Sequence, residues 1–319
     1  MSSHKRKRAV IIGGGHGQSA ICRGIKNIED LDITAIVTVA DDGGSTGRLR
    51  RQFHIPAMGD IRNVMIALAE SETLMGTLMD YRFEDAEGNE EDVAGHNLGN
   101  LILTAMTQQC GSFLEAVQTI GKVLNVKGNI IPATTQVISL FALMEDDVIV
   151  KGEANIPDRS NHIRKVFYDV PVHATPEAVK AIAKADLIIY GIGSVYTSIL
   201  PNVIIPEIAK ALHKAKGRKV YFCNAMTQPG ETDGYAVEDH VQALTDHGAP
   251  VDAVIVCKDN IPDKVVSRYE KEGSTPVVLR HRKHDYEIIR EPLLAFENDL
   301  VRHDSLRIEK AIRHLLEDL

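Results

Sequence analysis

Short apolar runs alternate with amphipathic stretches along most of the chain. The runs are typical of buried strands, and the stretches between them place apolar residues at helical spacing. The predicted strands are Ala9–Ile12, Ile33–Val39, Leu187–Tyr190, Val220–Cys223, Ala253–Cys257 and Val277–Leu279. This alternation is typical of βαβ units, so we predict an α/β fold with a largely parallel sheet flanked by helices.

The middle of the chain departs from this alternation. Residues 81–94 are acidic and poor in large apolar side chains, which favours a surface loop. From Thr134 to Ile149 the chain is rich in β-branched residues, so strands joined by a turn at Glu145–Asp147 are predicted. There is no internal repeat and no long linker. We therefore predict one domain over residues 1–319, with a β-containing insertion and excursion over about residues 81–175.

Two glycine-rich polar loops follow the first two predicted strands. The first loop contains Gly13, Gly14, Gly15, His16 and Gly17, and the second contains Asp41, Asp42, Gly43, Gly44, Ser45, Thr46 and Gly47. Glycine lets backbone N–H groups approach an anion without a Cβ in the way, and a helix that begins just after the loop adds its positive end. The two loops therefore predict a phosphate-bearing ligand such as a nucleotide.

Further polar loops follow the same design. Their candidate ligand-binding residues are Asn97, Asn100, Gly193, Ser194, Thr197, Ser198, Asn224, Thr227 and Gln228. Arg302, just before the last predicted helix, is a candidate phosphate contact. Because the carboxyl ends of parallel strands meet at one edge of a sheet, we expect the loops to converge there.

Carboxylates beside a glycine loop favour a metal ion. Mg²⁺ between carboxylate and phosphate oxygens would explain Asp41, Asp42 and Asp60, as would a contact with a ribose hydroxyl or plain turn and cap roles. We take Asp42 and Asp60 as candidate metal ligands, leave Mg²⁺ open and predict no organic cofactor. The loop serines have no evident base in the sequence, so the catalytic residues are unknown.

An NAD-dependent dehydrogenase is one alternative interpretation of the first loop. The loop follows a strand and precedes a helix, as a dinucleotide fingerprint does. Its third glycine position is occupied by Gln18, and the second loop is a further glycine cradle rather than ordinary sequence.

The composition and net charge of the chain argue against some classes of partner. The chain has 319 residues, a net charge of −8 and a pI of about 5.9, which argues against a nucleic-acid partner. Its four cysteines are widely spaced, and no apolar run reaches membrane-spanning length. We expect a cytoplasmic protein without membrane insertion, in which Lys5–Arg8 form a solvated tail.

Six motifs carry a family resemblance over nearly the whole chain. They are IIGGGHGQSAICRGI, VTVADDGGSTGRLR, PAMGDIRNVMIALA, GHNLGNLIL, GIGSVYTSILPNVIIPEI and CNAMTQPGETDGY. In this combination the chain resembles the YvcK family of bacterial gluconeogenesis factors, which are similar in fold to the CofD 2-phospho-L-lactate transferases. The resemblance implies a Rossmann-like cytoplasmic protein that binds a UDP-sugar such as UDP-N-acetylglucosamine. It also implies a role in cell shape and peptidoglycan synthesis on gluconeogenic carbon sources.

The CofD likeness implies a second function. It places Asp41, Asp42 and Asp60 where CofD relatives hold a metal beside a guanine nucleotide, during phospholactate transfer to a deazaflavin. The chain departs from the CofD Pro-Asp-x-Asp pattern, because Pro56–Asp60 reads PAMGD and keeps one acid. We therefore expect a nucleotide-sugar-binding regulator rather than an enzyme, with a metal-dependent phospho-group transferase as the alternative. A homo-oligomer and a protein partner in cell-wall synthesis stay open.

Overall fold

The computed structural model describes residues 6–70, 74–84, 93–159, 161–280, 283–298 and 300–319. The first half contains β1 (Lys7–Gly13), α1 (Gly15–Ile25), β2 (Leu31–Val37), α2 (Gly44–Phe53), α3 (Gly59–Leu68), α4 (Leu74–Asp80), α5 (Leu98–Cys110), α6 (Phe113–Val123), β3 (Asn129–Pro132), β4 (Phe141–Met144), β5 (Ile149–Lys151), a 3₁₀ helix (Glu153–Asp158) and β6 (Ile163–Phe167). The second half contains α7 (Pro176–Lys184), β7 (Leu187–Tyr190), a π-helical turn (Val195–Ile199), α8 (Leu200–Val203), α9 (Pro206–Lys214), β8 (Arg218–Phe222), α10 (Val237–Asp246), β9 (Ala253–Cys257), α11 (Asp263–Lys271), β10 (Glu287–Glu291), β11 (Leu294–Glu297), β12 (Leu300–His303) and α12 (Ser305–Glu317).

Seven parallel strands form the central sheet, in the order β10-β9-β8-β7-β1-β2-β3. Strand β1 lies in the middle, with Ile12 opposite Ile36 of β2 and Tyr190 of β7. The chain first builds outward from β1 to β3, then returns and builds the other way from β7 to β10. The order therefore reverses between β1 and β7, which is the switch point of a doubly wound fold. The predicted α/β, Rossmann-like fold class is confirmed.

The central strands are apolar on both faces. Ile11 and Ile12 of β1 and Ile188 and Ile189 of β7 are fully buried. A parallel sheet needs helices on both faces, so its strands read as continuous apolar runs. Helix α1 packs against α3 and α12, and α7 packs against α9.

The predicted β-containing insertion is a small antiparallel sheet of β5, β4 and β6. Phe141 lies opposite Phe167, and their rings stack with centroids 5.6 Å apart. The turn at Glu145–Asp147 joins β4 to β5 as predicted, but the strands begin at Phe141 rather than near Thr134. The assignment of the chain to one domain, with its insertion limits, stays a prediction.

Two local predictions are wrong. Val277–Leu279 is not a strand, and β10 takes the edge position beside β9. The segment is apolar because it packs beside the loop after β8, where the backbone N–H of Val277 bonds to the carbonyl of Ala225. The predicted solvated tail is shorter than expected, since β1 already begins at Lys7.

Some sequence predictions fall on residues outside the described ranges. These are Lys5 of the predicted tail and residues 85–92 of the acidic loop. None of the helices that the structure describes is long and apolar enough to span a bilayer.

Candidate functional site

The first glycine loop lies at the switch point of the sheet. Strand β1 ends at Gly13 and α1 begins at Gly15, whose φ of 61° lies in the region that favours glycine. A Cβ on Gly17 would lie 1.9 Å from the carbonyl oxygen of Ile192, in the loop after β7. Glycine at position 17 therefore lets the first turn of α1 touch that loop, while His16 beside it is exposed.

Asp60 lies against this loop from the side of α3. A Cβ on Gly14 would lie 2.5 Å from Asp60 Oδ2 and 2.6 Å from Thr38 Cγ2. Burial raises the pKa of Asp60 to about 7, and the nearby carboxylate of Asp41 adds to the rise. Burial also raises the pKa of Asp41, although hydrogen bonds from Gly43 and Thr46 partly oppose it. Two carboxyl groups therefore share a small space beside the glycine loop.

The insertion adds a third acid that the sequence analysis missed. Burial raises the pKa of Glu153 in the 3₁₀ helix to about 8, and the carboxylates of Asp41 and Asp60 contribute further. Asp42 faces the insertion, because its Oδ1 accepts a hydrogen bond from the N–H of Ala154 at 3.0 Å. Carboxylate oxygens are the ligands that Mg²⁺ prefers, so the donor set fits a hard cation.

The metal assignment itself stays a prediction. Within the described residues, no three His, Cys, Asp or Glu side chains are already arranged to coordinate one ion. Asp60 lies beside the first glycine loop, whereas Asp42 binds the backbone of the insertion. Asp41 lies nearer to Asp60, since a Cβ on Gly59 would be 3.1 Å from Asp41 Oδ2.

Ser45 in the second loop does have a histidine partner, contrary to the sequence analysis. Its Oγ lies 3.0 Å from Nδ1 of His96 and accepts hydrogen bonds from Asn97 N–H at 3.2 Å and Asn100 Nδ2 at 3.3 Å. With both lone pairs occupied, the hydroxyl donates to Nδ1, which places the imidazole proton on Nε2. Burial lowers the pKa of His96, which favours this neutral form.

The same contacts join α5 to the second glycine loop. Asn97 caps α5 by accepting a hydrogen bond from the N–H of Asn100 at 3.1 Å. Nδ2 of Asn100 also reaches Oγ1 of Thr46 at 3.4 Å. The structure thus brings both predicted asparagines to Ser45, and the three buried side chains hold one another in place.

The loop after β7 is bound by an internal carboxylate. Ser194 caps the π-helical turn and donates its hydroxyl to Glu231, and Thr197 Oγ1 donates to the same carboxylate at 3.2 Å. Gln228 Nε2 is a third donor. Glu231 is 1% exposed, and burial raises its pKa to about 7. The hydroxyl groups of Ser194 and Thr197, which we predicted for phosphate, are therefore already bonded, whereas Ser198 is linked to Ser194 through its backbone N–H.

The loop after β8 meets the loop after β7 through Asn224. Its Nδ2 donates to the carbonyl of Gly193 at 2.8 Å, while its Oδ1 is buried without a partner. Thr227 faces away toward Ser274 and Thr275, whose hydroxyl and N–H bond to it.

Arg302 is the predicted residue that the structure does not join to the loops. It lies on β12 opposite Ala295, with its side chain exposed. In the described part of the chain no hydrogen bond or ion pair links it to the glycine loops. Its phosphate contact stays a prediction.

Two buried arginines were also missed. Arg50 donates to the carbonyls of Asp41 and Ile138, and Arg62 donates to Asn63 and Asn100. Burial lowers the pKa of both guanidinium groups, and nearby carboxylates oppose that shift. Arg62 belongs to the PAMGDIRNVMIALA motif, which was a usable signal, whereas no motif marked Glu153.

Comparison with known proteins agrees with this architecture. The family model for 2-phospho-L-lactate transferase CofD matches residues 9–294. The gluconeogenesis factor of Bacillus subtilis (strain 168) is 44% identical over 320 residues, covering 98% of this chain and 99% of the relative. That of Halalkalibacterium halodurans is 43% identical over 321 residues, covering 97% and 96%. A crystal structure of a Bacillus halodurans protein superimposes with a TM-score of 0.92 at 43% identity, covering 97% of this chain and 100% of that one.

The reversed strand order and the polar loops at the switch point between β1 and β7 define a doubly wound α/β protein, a class that binds ligands at this point. With these matches, the chain belongs to the CofD family, on the branch whose curated members are called gluconeogenesis factor.

Proposed function

We propose that the protein binds a nucleotide-sugar of the UDP-N-acetylglucosamine type in the crevice between β1 and β7, and acts as a regulatory gluconeogenesis factor. In this role it would support cell shape and peptidoglycan synthesis on gluconeogenic carbon sources, in the cytoplasm. The observation that carries the proposal is the contact of Gly17 with the carbonyl of Ile192, which joins two glycine loops at the switch point.

The first glycine loop supplies the diphosphate site. Gly14 lies at the N-cap of α1 and has no capping side chain of its own, although the carboxyl group of Asp60 accepts a hydrogen bond from the N–H of Gly15. Helix N-termini of this kind bind phosphate through N–H groups and the positive end of the helix dipole. The loop after β7 is different, because Glu231 already occupies its hydroxyl groups. The diphosphate therefore belongs at Gly13–Gly17.

A Mg²⁺ ion would complement this site. Burial raises the pKa values of Asp60, Asp41 and Glu153, and repulsion from neighbouring carboxylates adds to the rise, so a cation beside them would be favoured. Asp60 and Asp41 would hold the ion beside the diphosphate, where it would offset the phosphate charge. The buried guanidinium of Arg62 adds positive charge behind Asp60 and Asp41.

A metal-dependent transferase acting on a nucleotide-linked phosphate is the second candidate. The acidic group around Asp60 favours it, because the same cation that binds a diphosphate would stabilise charge that develops on transfer. Ser45 is not a free nucleophile, since its hydroxyl is held by three partners. A dehydrogenase is less consistent with Gln18, which is buried and bonds to the carbonyls of Ile11 and Ile36 where a fingerprint needs glycine.

Isothermal titration calorimetry tests the proposal. UDP-N-acetylglucosamine is expected to bind in the presence of Mg²⁺, more tightly than NADH, and Asp60→Asn is expected to remove most of the Mg²⁺ dependence. Asp318→Asn, at an exposed carboxyl after the last helix, serves as the matched control. Absence of UDP-N-acetylglucosamine binding at millimolar concentration, with and without Mg²⁺, would overturn the proposal. Turnover of a nucleotide-linked phosphate that stops in Asp60→Asn would favour the transferase.

A further inference from the structure

A second cavity opens at the carboxyl ends of β8, β9 and β10, beyond the crevice. Its volume is about 240 Å³. The walls are mixed: apolar side chains such as Val237, Val256 and Val277 line them together with polar ones. Pockets for drug-sized ligands measure roughly 300–1,000 Å³, so this cavity has room for one ring of a larger ligand rather than for the whole of it.

Asn224 connects this cavity to the glycine loops. Its Nδ2 donates to the carbonyl of Gly193, and a Cβ on Gly193 would lie 3.7 Å from the carbonyl oxygen of Gly14. Asn224 is also one of the residues that line the cavity. Its Oδ1 is buried and has no hydrogen-bond partner, so it is an acceptor without a donor. A buried polar atom in this state costs free energy unless a ligand satisfies it.

The remaining polar groups of the cavity suit an uncharged ring better than a phosphate. Asp259 is on the wall, but its oxygens already accept from the N–H groups of Leu293 and Leu294 and from Arg307. Arg290 is exposed at the rim and forms no hydrogen bond or ion pair among the described residues. Asn260, a second amide, is exposed on the wall. The cavity therefore offers apolar side chains, the buried amide oxygen of Asn224, a second amide and a guanidinium donor.

We infer that this cavity binds the pyrimidine ring of the nucleotide, with Asn224 as the residue that selects it. A uracil ring presents an imide N–H between two carbonyl groups, which matches an amide oxygen beside two donors. Oδ1 of Asn224 accepts from the ring N3–H, and the free N–H of Asn224 and the guanidinium of Arg290 donate to ring carbonyls. This assignment rests on the proposed function, because it needs the diphosphate at Gly13–Gly17.

The test pairs a chemical change in the ligand with a change in the residue. Binding of UDP and of N3-methyl-UDP is measured by calorimetry on the wild-type protein and on Asn224→Ala. For the wild type we expect N3-methylation to weaken binding about tenfold or more, as loss of a buried hydrogen bond does. In Asn224→Ala we expect UDP itself to bind about tenfold more weakly, and the methylation penalty to disappear.

A second pair of variants tests the cavity by volume. Val277→Phe fills the space, and Val278→Phe is the matched control at the next position, where the side chain is 57% exposed and does not line the cavity. We expect Val277→Phe to weaken UDP binding at least tenfold, and Val278→Phe to leave it unchanged. Thermal melting of all variants checks that they are folded.

The outcomes separate the two proposals. If the wild type binds neither UDP nor UDP-N-acetylglucosamine, the proposed function fails and this assignment fails with it. If the wild type binds UDP, but Asn224→Ala and Val277→Phe have wild-type affinity and the methylation penalty is unchanged, the ring lies elsewhere and only the assignment is overturned. Loss of affinity for UDP-N-acetylglucosamine with UDP unaffected would place the sugar in the cavity, and would overturn the assignment too.

Discussion

The two edges of the central sheet differ, because the larger cleft lies at one edge and the buried acids lie at the other. The largest cleft described, about 890 Å³, lies at the amino ends of β1, β2 and β3. Both of its arginines are paired, Arg6 with Asp32 at 3.3 Å and Arg8 with Asp186 at 3.1 Å. The carboxyl edge has smaller cavities, but it concentrates buried acids and an amide oxygen without a partner.

This comparison shows that cleft volume alone does not locate a binding site. At the amino edge each of these cations has an acid in contact, so little is gained from adding a ligand. At the carboxyl edge the acids share space and their pKa values rise, so a cation or a hydrogen-bond donor would stabilise the fold. The parallel sheet explains the asymmetry, because the loops that follow its strands all leave at the carboxyl edge.

The largest expected effect is that of Gly17→Ala at the carboxyl edge. A Cβ there meets a backbone carbonyl, which no side-chain rotation relieves. We expect loss of nucleotide-sugar binding by at least about 100-fold, or roughly 3 kcal/mol, together with a lower melting temperature. Calorimetry and thermal melting measure both.

The matched control for this change is Gly76→Ala in α4, where a Cβ meets nothing within 4 Å. Wild-type affinity in Gly17→Ala would show that the two loops need not touch for binding, which would break the contrast between the edges.

The next effect concerns Glu231. Its folded pKa of about 7 lies above its value in the unfolded chain, so the folded state binds more protons between about pH 4.5 and pH 7. Its contribution to stability is full below this window and is lost as pH rises through it. Glu231→Gln is therefore expected to flatten the pH dependence of the free energy of unfolding, by up to about 3 kcal/mol between pH 5 and pH 8.

Urea unfolding at several pH values measures this difference. Glu153 and Asp60 also have raised pKa values, so the variant keeps part of the pH dependence of the free energy of unfolding. The contribution of Glu231 is therefore the difference between the wild-type and variant curves. Glu317→Gln, at an exposed carboxyl, is the control. Equal slopes for the wild type and Glu231→Gln would mean that this carboxyl group is not buried as described.

A smaller effect is expected at the amino edge from Arg8→Ala. Its guanidinium makes two bonds to Asp186, at 3.1 Å each, and both side chains are about one-third exposed. We expect a loss of about 1 kcal/mol in the free energy of unfolding and no change in ligand affinity. A clear loss of affinity would instead assign the amino edge a part in binding.

The smallest effect is expected from Arg6→Ala. The pair with Asp32 is more than half exposed on both sides. Its removal should cost less than about 0.5 kcal/mol, which is typical of surface ion pairs. The melting temperature measures it, and a shift as large as that of Arg8→Ala would contradict our ranking of these two pairs.

The sequence was sufficient for β1, β2, β7, β8 and β9 and for the loops after them, because strand, polar loop and helix start follow one another locally, but it missed β3 and β10 at the edges of the sheet. It was not sufficient for Glu153 or Glu231, whose roles depend on contacts between distant segments. Ser194 and Thr197 looked like phosphate ligands because hydroxyls at a helix start suit any anion, and here the anion is a side chain. Val277–Leu279 looked like a strand because an apolar run does not reveal whether a sheet or a loop packs against it.

Gly17 has a consequence for the variation of this fold. Main chain meets main chain at that point, so substitution elsewhere leaves the gap between β1 and β7 at a fixed width. We therefore expect recognition to vary through side chains on either side of this contact, such as Asp60 and Asn224. Members of the family with different ligands should therefore share the middle of the crevice and diverge at its ends.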